Sequence, residues 1–170
     1  KVIFGDVNPS GKLAETFPGK YTDCVTAKNG QSGLWGKIRL EEGVYCGYRY
    51  FDKEHIAPAF CFGHGLSYTE FSYSGLTLKA EKGRDVKLNF TVKNTGKRIG
   101  SEIIQVYVAP IAPKVDRPNK ELKAYAKVEL APGKSRKVSI TLKQEDFAYF
   151  DEHLHEFIAD EGDYEILVGA

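Results

Sequence analysis

From residue 86 onward the chain alternates apolar and polar side chains with a period of two. In "DVKLNFTVKN" the apolar positions are Val86, Leu88, Phe90 and Val92, and Lys87, Asn89, Thr91 and Lys93 stand between them. That pattern predicts a strand with one buried and one wetted face. "SEIIQVYVAP" follows, with Ile104, Val106 and Val108 on one face and Ile103, Gln105 and Tyr107 on the other. "KELKAYAKVEL", "KVSITL" and "DYEILVGA" supply three more strand regions, the last two turning Val138, Ile140 and Leu142, then Tyr164, Ile166 and Val168, inward. "NTG" at Asn94–Gly96 and "APGKS" at Ala131–Ser135 carry turn chemistry between them. Short strands spaced by turns predict an all-β antiparallel sandwich of the fibronectin type III or immunoglobulin kind. The helical signal is a turn around Gln144–Ala148.

Residues 1–66 read differently. They are glycine-rich, poorly periodic and marked by turn signals in "GDVNPSGK", "FPGKYTD" and "KNGQSG". One piece, "EEGVYCGYRYFD" at Glu41–Asp52, reads as an extended segment with alternating aromatics. It has too few partners nearby for a core of its own. The division expected is therefore an irregular extension, 1–66, before a sandwich, 67–170. The stretch "FCFGHGLSYTEF", Phe60–Phe71, reads as the joint between them. Gly63 and Gly65 allow a bend, and Phe60, Phe62, Tyr68 and Phe71 supply apolar area to bury.

Composition narrows the function classes. With 170 residues the chain is long enough to bury a core without staples. The net charge is +1, from 24 Lys+Arg against 23 Asp+Glu, so no basic excess points to nucleic acid. No apolar run reaches the roughly 20 residues of a membrane span, and no membrane partner is expected. "KVIFGDVNPSGK" has neither an initiating Met nor a signal-like apolar region, and reads as the start of an internal fragment or processed product. Cys24, Cys46 and Cys61 form no C-x-x-C pair and make an odd count. Buried free thiols are expected, an odd count that leans towards the cytoplasm, with one disulfide from Cys24 as the alternative in an oxidising compartment.

The motifs "GDVNPSGKLAETFP", "GVYCGYRYFD", "FGHGLSYTEFSYS", "VKNTGKRIGSEIIQVYV", "RPNKELKAYAKVELAPGKS" and "GDYEILVGA" occur in one order across essentially the whole chain. In that order they resemble the C-terminal part of a glycoside hydrolase family 3 enzyme, most often a β-glucosidase. The resemblance implies that Lys1 to about Pro18 ends an α/β domain, that a linker follows, and that the rest is a fibronectin type III-like domain. It implies a retaining hydrolase whose aspartate nucleophile lies in an N-terminal barrel and whose acid/base usually lies on the α/β domain. No residue here matches either position, and the nucleophile's "SDW"-like motif is absent. The implied partners are the upstream barrel and α/β domains and, through the whole enzyme, a β-glucoside. No cofactor is implied.

Other candidate chemistry is weaker. Asp6, Glu41, Glu42, Asp52, Asp151, Glu152, Asp160 and Glu161 are carboxylates worth inspection, but adjacent pairs on a strand point to opposite faces. His153 and His155 would share a face on a strand, a zinc-like spacing that lacks a third ligand. His64 and Ser67 suggest a triad only on paper. "FGDVNPSGK" lacks the spacer of a phosphate loop and reads as a tight turn after a short apolar strand. Trp35, in the glycine-flanked "SGLWGK", is the single candidate saccharide contact. Tyr45, Tyr48, Tyr50, Phe51 and Tyr68 read as core or interface. Two functions remain in view: an accessory part of a family 3 β-glucosidase, inactive alone, and a free-standing carbohydrate-binding or interaction module. The exposed "VIF" and "GVYCGYRYF" also invite homo-oligomers.

Overall fold

The computed structural model describes residues 1–28 and 42–170. Its body is a sandwich of two three-stranded antiparallel sheets. Strands β1 (Phe71–Ala80), β2 (Val86–Asn94) and β5 (Ser135–Leu142) form one sheet in the order β1-β2-β5. Strands β3 (Gly100–Pro110), β4 (Glu121–Leu130) and β8 (Tyr164–Gly169) form the other in the order β4-β3-β8. A hairpin of β6 (Tyr149–Asp151) and β7 (Glu156–Ile158) projects between β5 and β8.

The core follows from the alternation. Leu88, Val92, Ile104, Val106, Val108 and Leu142 are fully buried, and Phe90, Val128, Leu130 and Val138 nearly so. Phe90, Val92, Ile104, Val128, Leu130 and Val138 make one cluster, and Leu88, Val106, Val108 and Leu142 the other. Each side chain fully covered contributes about 1.5–3 kcal/mol relative to exposure. The all-β sandwich of the fibronectin type III kind is thus the architecture of this chain, with a largely irregular N-terminal extension beside it.

Three local expectations are corrected. The segment around Glu41–Asp52 is not extended: Tyr48–Lys53 forms a short helix, α2, after a turn-like helix α1 at Val25–Lys28. Gly47, with φ +56°, turns the chain into α2, and the helix buries Tyr50 and Phe51. Aromatics at 48 and 50 mimic strand alternation, while the 48–51 spacing is that of a helical face. Val2–Phe4 forms a turn, with Gly5 N–H donating to the Val2 carbonyl, and not a strand. His153 and His155 occupy the β6–β7 turn, His155 at φ +54°, so strand geometry does not align their rings.

β2 has the expected wetter outer face, but β3 does not. Gln105, on the face opposite Ile104 and Val106, is 6% exposed. The cover comes from the N-terminal extension, which lies across the β4-β3-β8 sheet.

Candidate functional site

The extension is fastened to the sandwich at four places. At the first, Asn8 Oδ1 accepts from the Tyr68 N–H at 2.8 Å and the Ser67 hydroxyl at 3.1 Å, while its Nδ2 donates to the Ile99 carbonyl. Arg98 donates to the Gly5 carbonyl and lies over the Tyr68 ring, whose hydroxyl donates to the Val2 carbonyl. Residues 8–11 do not form the tight turn expected of "NPSG"; Asn8 lies in irregular chain and acts as a clasp.

At the second, the Leu13 N–H donates to the His64 carbonyl and the Gly63 N–H to the Leu13 carbonyl, which holds two parts of the extension together where Gly63 meets β3. Gly63 has φ +81°, and a Cβ there would sit 2.4 Å from Gln105 Nε2. A Cβ on Gly65 would sit 2.4 Å from the Gly11 carbonyl oxygen. Lys12 pairs with buried Glu102 at 3.3 Å. The joint needs glycine for close approach as much as for bending. Its aromatics are less covered than expected: Phe60 is 50% and Tyr68 45% exposed, while Phe62 and Phe71 are half-buried.

The third is α2. Tyr48 packs on Phe62 and edge-on to Tyr107, and its hydroxyl accepts from the Leu122 N–H at 2.9 Å. Asp52 pairs with Lys120 at 2.7 Å, and Lys53 with Asp116 at 2.9 Å beneath the Tyr45 ring. The hydrogen bonds from Tyr45 and Lys53 hold the Asp116 carboxyl below its ordinary pKa. The fourth is an ionic knot on β4: Glu121 faces Arg49 at 3.2 Å, Arg117 at 2.9 Å and Lys123 at 3.8 Å. Arg117 is almost wholly buried, stacks on Tyr149 and donates to the Phe147 carbonyl.

Asn94, fully buried at the end of β2, locks the joint to the sandwich. Its Oδ1 accepts from the Thr69 hydroxyl at 2.6 Å and the Gly96 N–H at 3.0 Å. Its Nδ2 donates to the Arg98 and Leu130 carbonyls, both at 2.8 Å. Sequence patterning read Asn94 only as a turn residue. Its burial depends on segments 25 and 36 positions away, which a local window does not contain.

Among the described residues the candidate carboxylates do not assemble into an acid pair. Asp52 and Asp160 face Lys120 and Lys114, and Asp151 accepts the His153 and Leu154 N–H groups. Asp6, Glu152 and Glu161 are exposed and Glu42 is half-buried. Ser67 donates to Asn8, and the His64 ring packs on Phe60 at 5.1 Å, so the two do not form the triad drawn on paper. Among the described residues no group of three His, Cys, Asp or Glu side chains is placed to hold a metal ion. Trp35 and Glu41 lie outside the described residues. Tyr50 and Phe51 are buried, and Tyr45, Tyr48 and Tyr68 are tied into the clasps above.

The cysteines are free, and two differ from expectation: Cys46 and Cys61 are exposed and Cys24 is half-buried. Their neighbours in sequence are apolar but do not bury them: Val44 and Phe60 are each 50% exposed. Cys46 and Cys61 should accordingly react with a thiol reagent without denaturant, ahead of Cys24. Equal, slow reaction of all three would contradict the exposed placement.

Burial pushes the Tyr107 hydroxyl pKa up to about 12, reinforced by Tyr48, Asp52 and Cys61. Burial, then Glu102, pushes that of Tyr73 up as well, its hydroxyl having no partner among the described residues. Both hold their protons past the point, about pH 10, where the unfolded chain releases them. Their contribution to stability is intact below about pH 10 and is lost as pH rises through about 12. Phenolate absorbance from Tyr73 and Tyr107 should appear only with unfolding. Complete titration of all tyrosines near pH 10 in the folded state would contradict this.

Comparison with known proteins follows the geometry. Residues 102–170 match the fibronectin type III-like domain family. The chain is 45% identical, over 98% of its length, to a protein of Aspergillus oryzae named probable beta-glucosidase I, and 43% identical over 99% to thermostable beta-glucosidase B of Acetivibrio thermocellus. It covers 21% and 22% of those proteins, so it spans about a fifth of the curated relatives it matches. Among solved structures, 99% of the chain superposes on the GH3 beta-glucosidase of Bifidobacterium adolescentis with a TM-score of 0.93 at 39% identity, covering 25% of that chain. It superposes on beta-glucosidase 3B of Thermotoga neapolitana, solved with glucose, with a TM-score of 0.90 at 39% identity, covering 24%.

Proposed function

We propose, from the premise that this chain is the C-terminal, fibronectin type III-like portion of a glycoside hydrolase family 3 protein, that it is a non-catalytic scaffold of a β-glucosidase. The whole enzyme would hydrolyse terminal β-glucosides with carboxylates carried on polypeptide outside these 170 residues. Residues 1–66 would be the trailing segment of an α/β domain plus linker, and residues 67–170 the fibronectin type III-like domain.

One observation carries this reading. Ile3, Phe4 and Leu66 are 89%, 86% and 75% exposed, although the segments bearing them are clasped to the sandwich. Large apolar side chains on a fastened support form a surface for another body. The upstream α/β domain is the occupant proposed, because the patch lies in the segment that would continue it.

Substrate chemistry is consistent with that division of labour. Retaining hydrolysis needs two carboxylates about 5 Å apart across the bond. Asp52 and Asp160 are engaged by lysines, Asp151 by backbone amides, and Asp6, Glu152 and Glu161 are exposed. The purified chain should give no turnover of an aryl β-glucoside above buffer. Turnover that persists through purification and vanishes on removing Asp52, Asp151 or Asp160 would overturn the reading.

A further inference from the structure

A second surface is untouched by that reading. Between the β3–β4 connection and the β6–β7 hairpin lies a cleft of about 540 Å³, within the roughly 300–1,000 Å³ typical of small-molecule sites. Phe150 and Phe157 stand directly opposite each other on the hairpin, with ring centroids 5.3 Å apart and planes at 67°. Both line the cleft, and they remain 48% and 75% exposed. The two rings bury little apolar area, so the stability they add comes mainly from their contact with each other.

The floor is polar and includes an unmet donor. The Arg117 side chain lines the cleft and is only 4% exposed; its two terminal nitrogens are engaged, but its buried Nε has no partner among the described residues. Such a group costs free energy unless something supplies an acceptor. At the rim, Glu152 and His153 add solvent-facing polar groups. Among the described residues the lining has three Lys or Arg side chains against four Asp or Glu, so its charge is nearly balanced. A strongly charged ligand gains little from such a lining.

Apolar ring faces beside hydrogen-bonding groups of both kinds, with little net charge, match a molecule that presents C–H faces and neutral hydroxyls together. We propose that this cleft binds a neutral oligosaccharide, with Phe150 and Phe157 as its stacking wall and the Arg117 side chain at its polar floor. The ring pair offers two differently inclined faces, which suits successive sugar rings more than one flat ligand. Binding here involves no bond cleavage.

The test titrates the 170-residue chain with cellotetraose, xylotetraose and, as a charged contrast, tetragalacturonate, followed by calorimetry and by amide NMR shifts. Saturable binding of at least one neutral tetrasaccharide is expected, with shifts centred on residues 149–157 and weaker binding of the uronate. Phe157→Ala should weaken neutral-sugar binding by about tenfold with an unchanged thermal midpoint, because that ring is mostly exposed. Phe150→Ala is the second variant. Absence of saturable binding of both neutral sugars, preference for the uronate, or undiminished binding by both variants would overturn the proposal. Because no hydrolysis is read, these outcomes are independent of whether the chain is a scaffold of a β-glucosidase.

Discussion

Asn94→Ala is expected to destabilise the chain by about 3–5 kcal/mol, near the upper end for a single substitution. The amide makes four side-chain hydrogen bonds in a site with no solvent exposure. Truncation strands the Thr69 hydroxyl, the Gly96 N–H and the Arg98 and Leu130 carbonyls together. Each buried polar group left unsatisfied costs about 1–3 kcal/mol, less whatever a water in the vacated space restores. Three parts of the chain lose their common tie: the joint at Thr69, the β2–β3 turn and the end of β4. Asn94→Asp is a sharper variant. It keeps both bonds to Oδ1 but loses both donations and buries a charge, so it should be at least as damaging at neutral pH. Denaturant unfolding followed by tyrosine fluorescence measures both; a loss below 1 kcal/mol for both would show that Asn94 does not hold the joint.

Gly63→Ala is the second large effect, expected at about 2–4 kcal/mol. Its φ of +81° costs a non-glycine residue roughly 1–2 kcal/mol. The added methyl also meets the Gln105 amide, with Nε2 at 2.4 Å and Oε1 at 2.6 Å. A flexible amide on the surface would step aside cheaply. Gln105 is buried, and its Oε1 accepts from the Tyr107 hydroxyl, so movement breaks a covered hydrogen bond. Gln105→Ala in the same chain removes the steric part and leaves the backbone part. The double variant should therefore recover part of the loss relative to the sum of the singles. Strict additivity would show that the methyl never reaches the amide. At roughly 2–4 °C per kcal/mol for a chain of this size, Gly63→Ala should lower the thermal midpoint by about 4–16 °C.

These two positions also mark what sequence patterning sees and what escapes it. The strands 86–94, 100–110, 121–130 and 135–142 were legible because apolar positions alternate along them, although β3 is covered on its second face as well. Residues 48–53 were not: six residues are too few to display a helical period, and Tyr48 and Tyr50 imitate a strand. The bend at Gly63 was legible as a bend, but its need for glycine comes equally from Gln105, 42 positions away. The exposure of Cys46 and Cys61 was misjudged for the same reason, since burial is decided by what distant chain covers. The ionic knot at Glu121 and the cleft beside the hairpin arise from tertiary placement of residues drawn from α2, β4 and the β6–β7 hairpin. The family motifs carried the recognition, and the missing nucleophile motif directed attention away from chemistry and towards support.

Support is a claim about a contact surface, so it is best tested at that surface. The upstream polypeptide of the same protein, prepared without these 170 residues, would be mixed with the chain, and aryl β-glucoside turnover followed. The account predicts that each component alone is silent, that the mixture is active, and that a chain carrying Ile3→Asp and Phe4→Asp, both at exposed positions, fails to restore activity while folding normally. Full activity of the upstream polypeptide alone, or equal restoration by the doubly substituted chain, would contradict it.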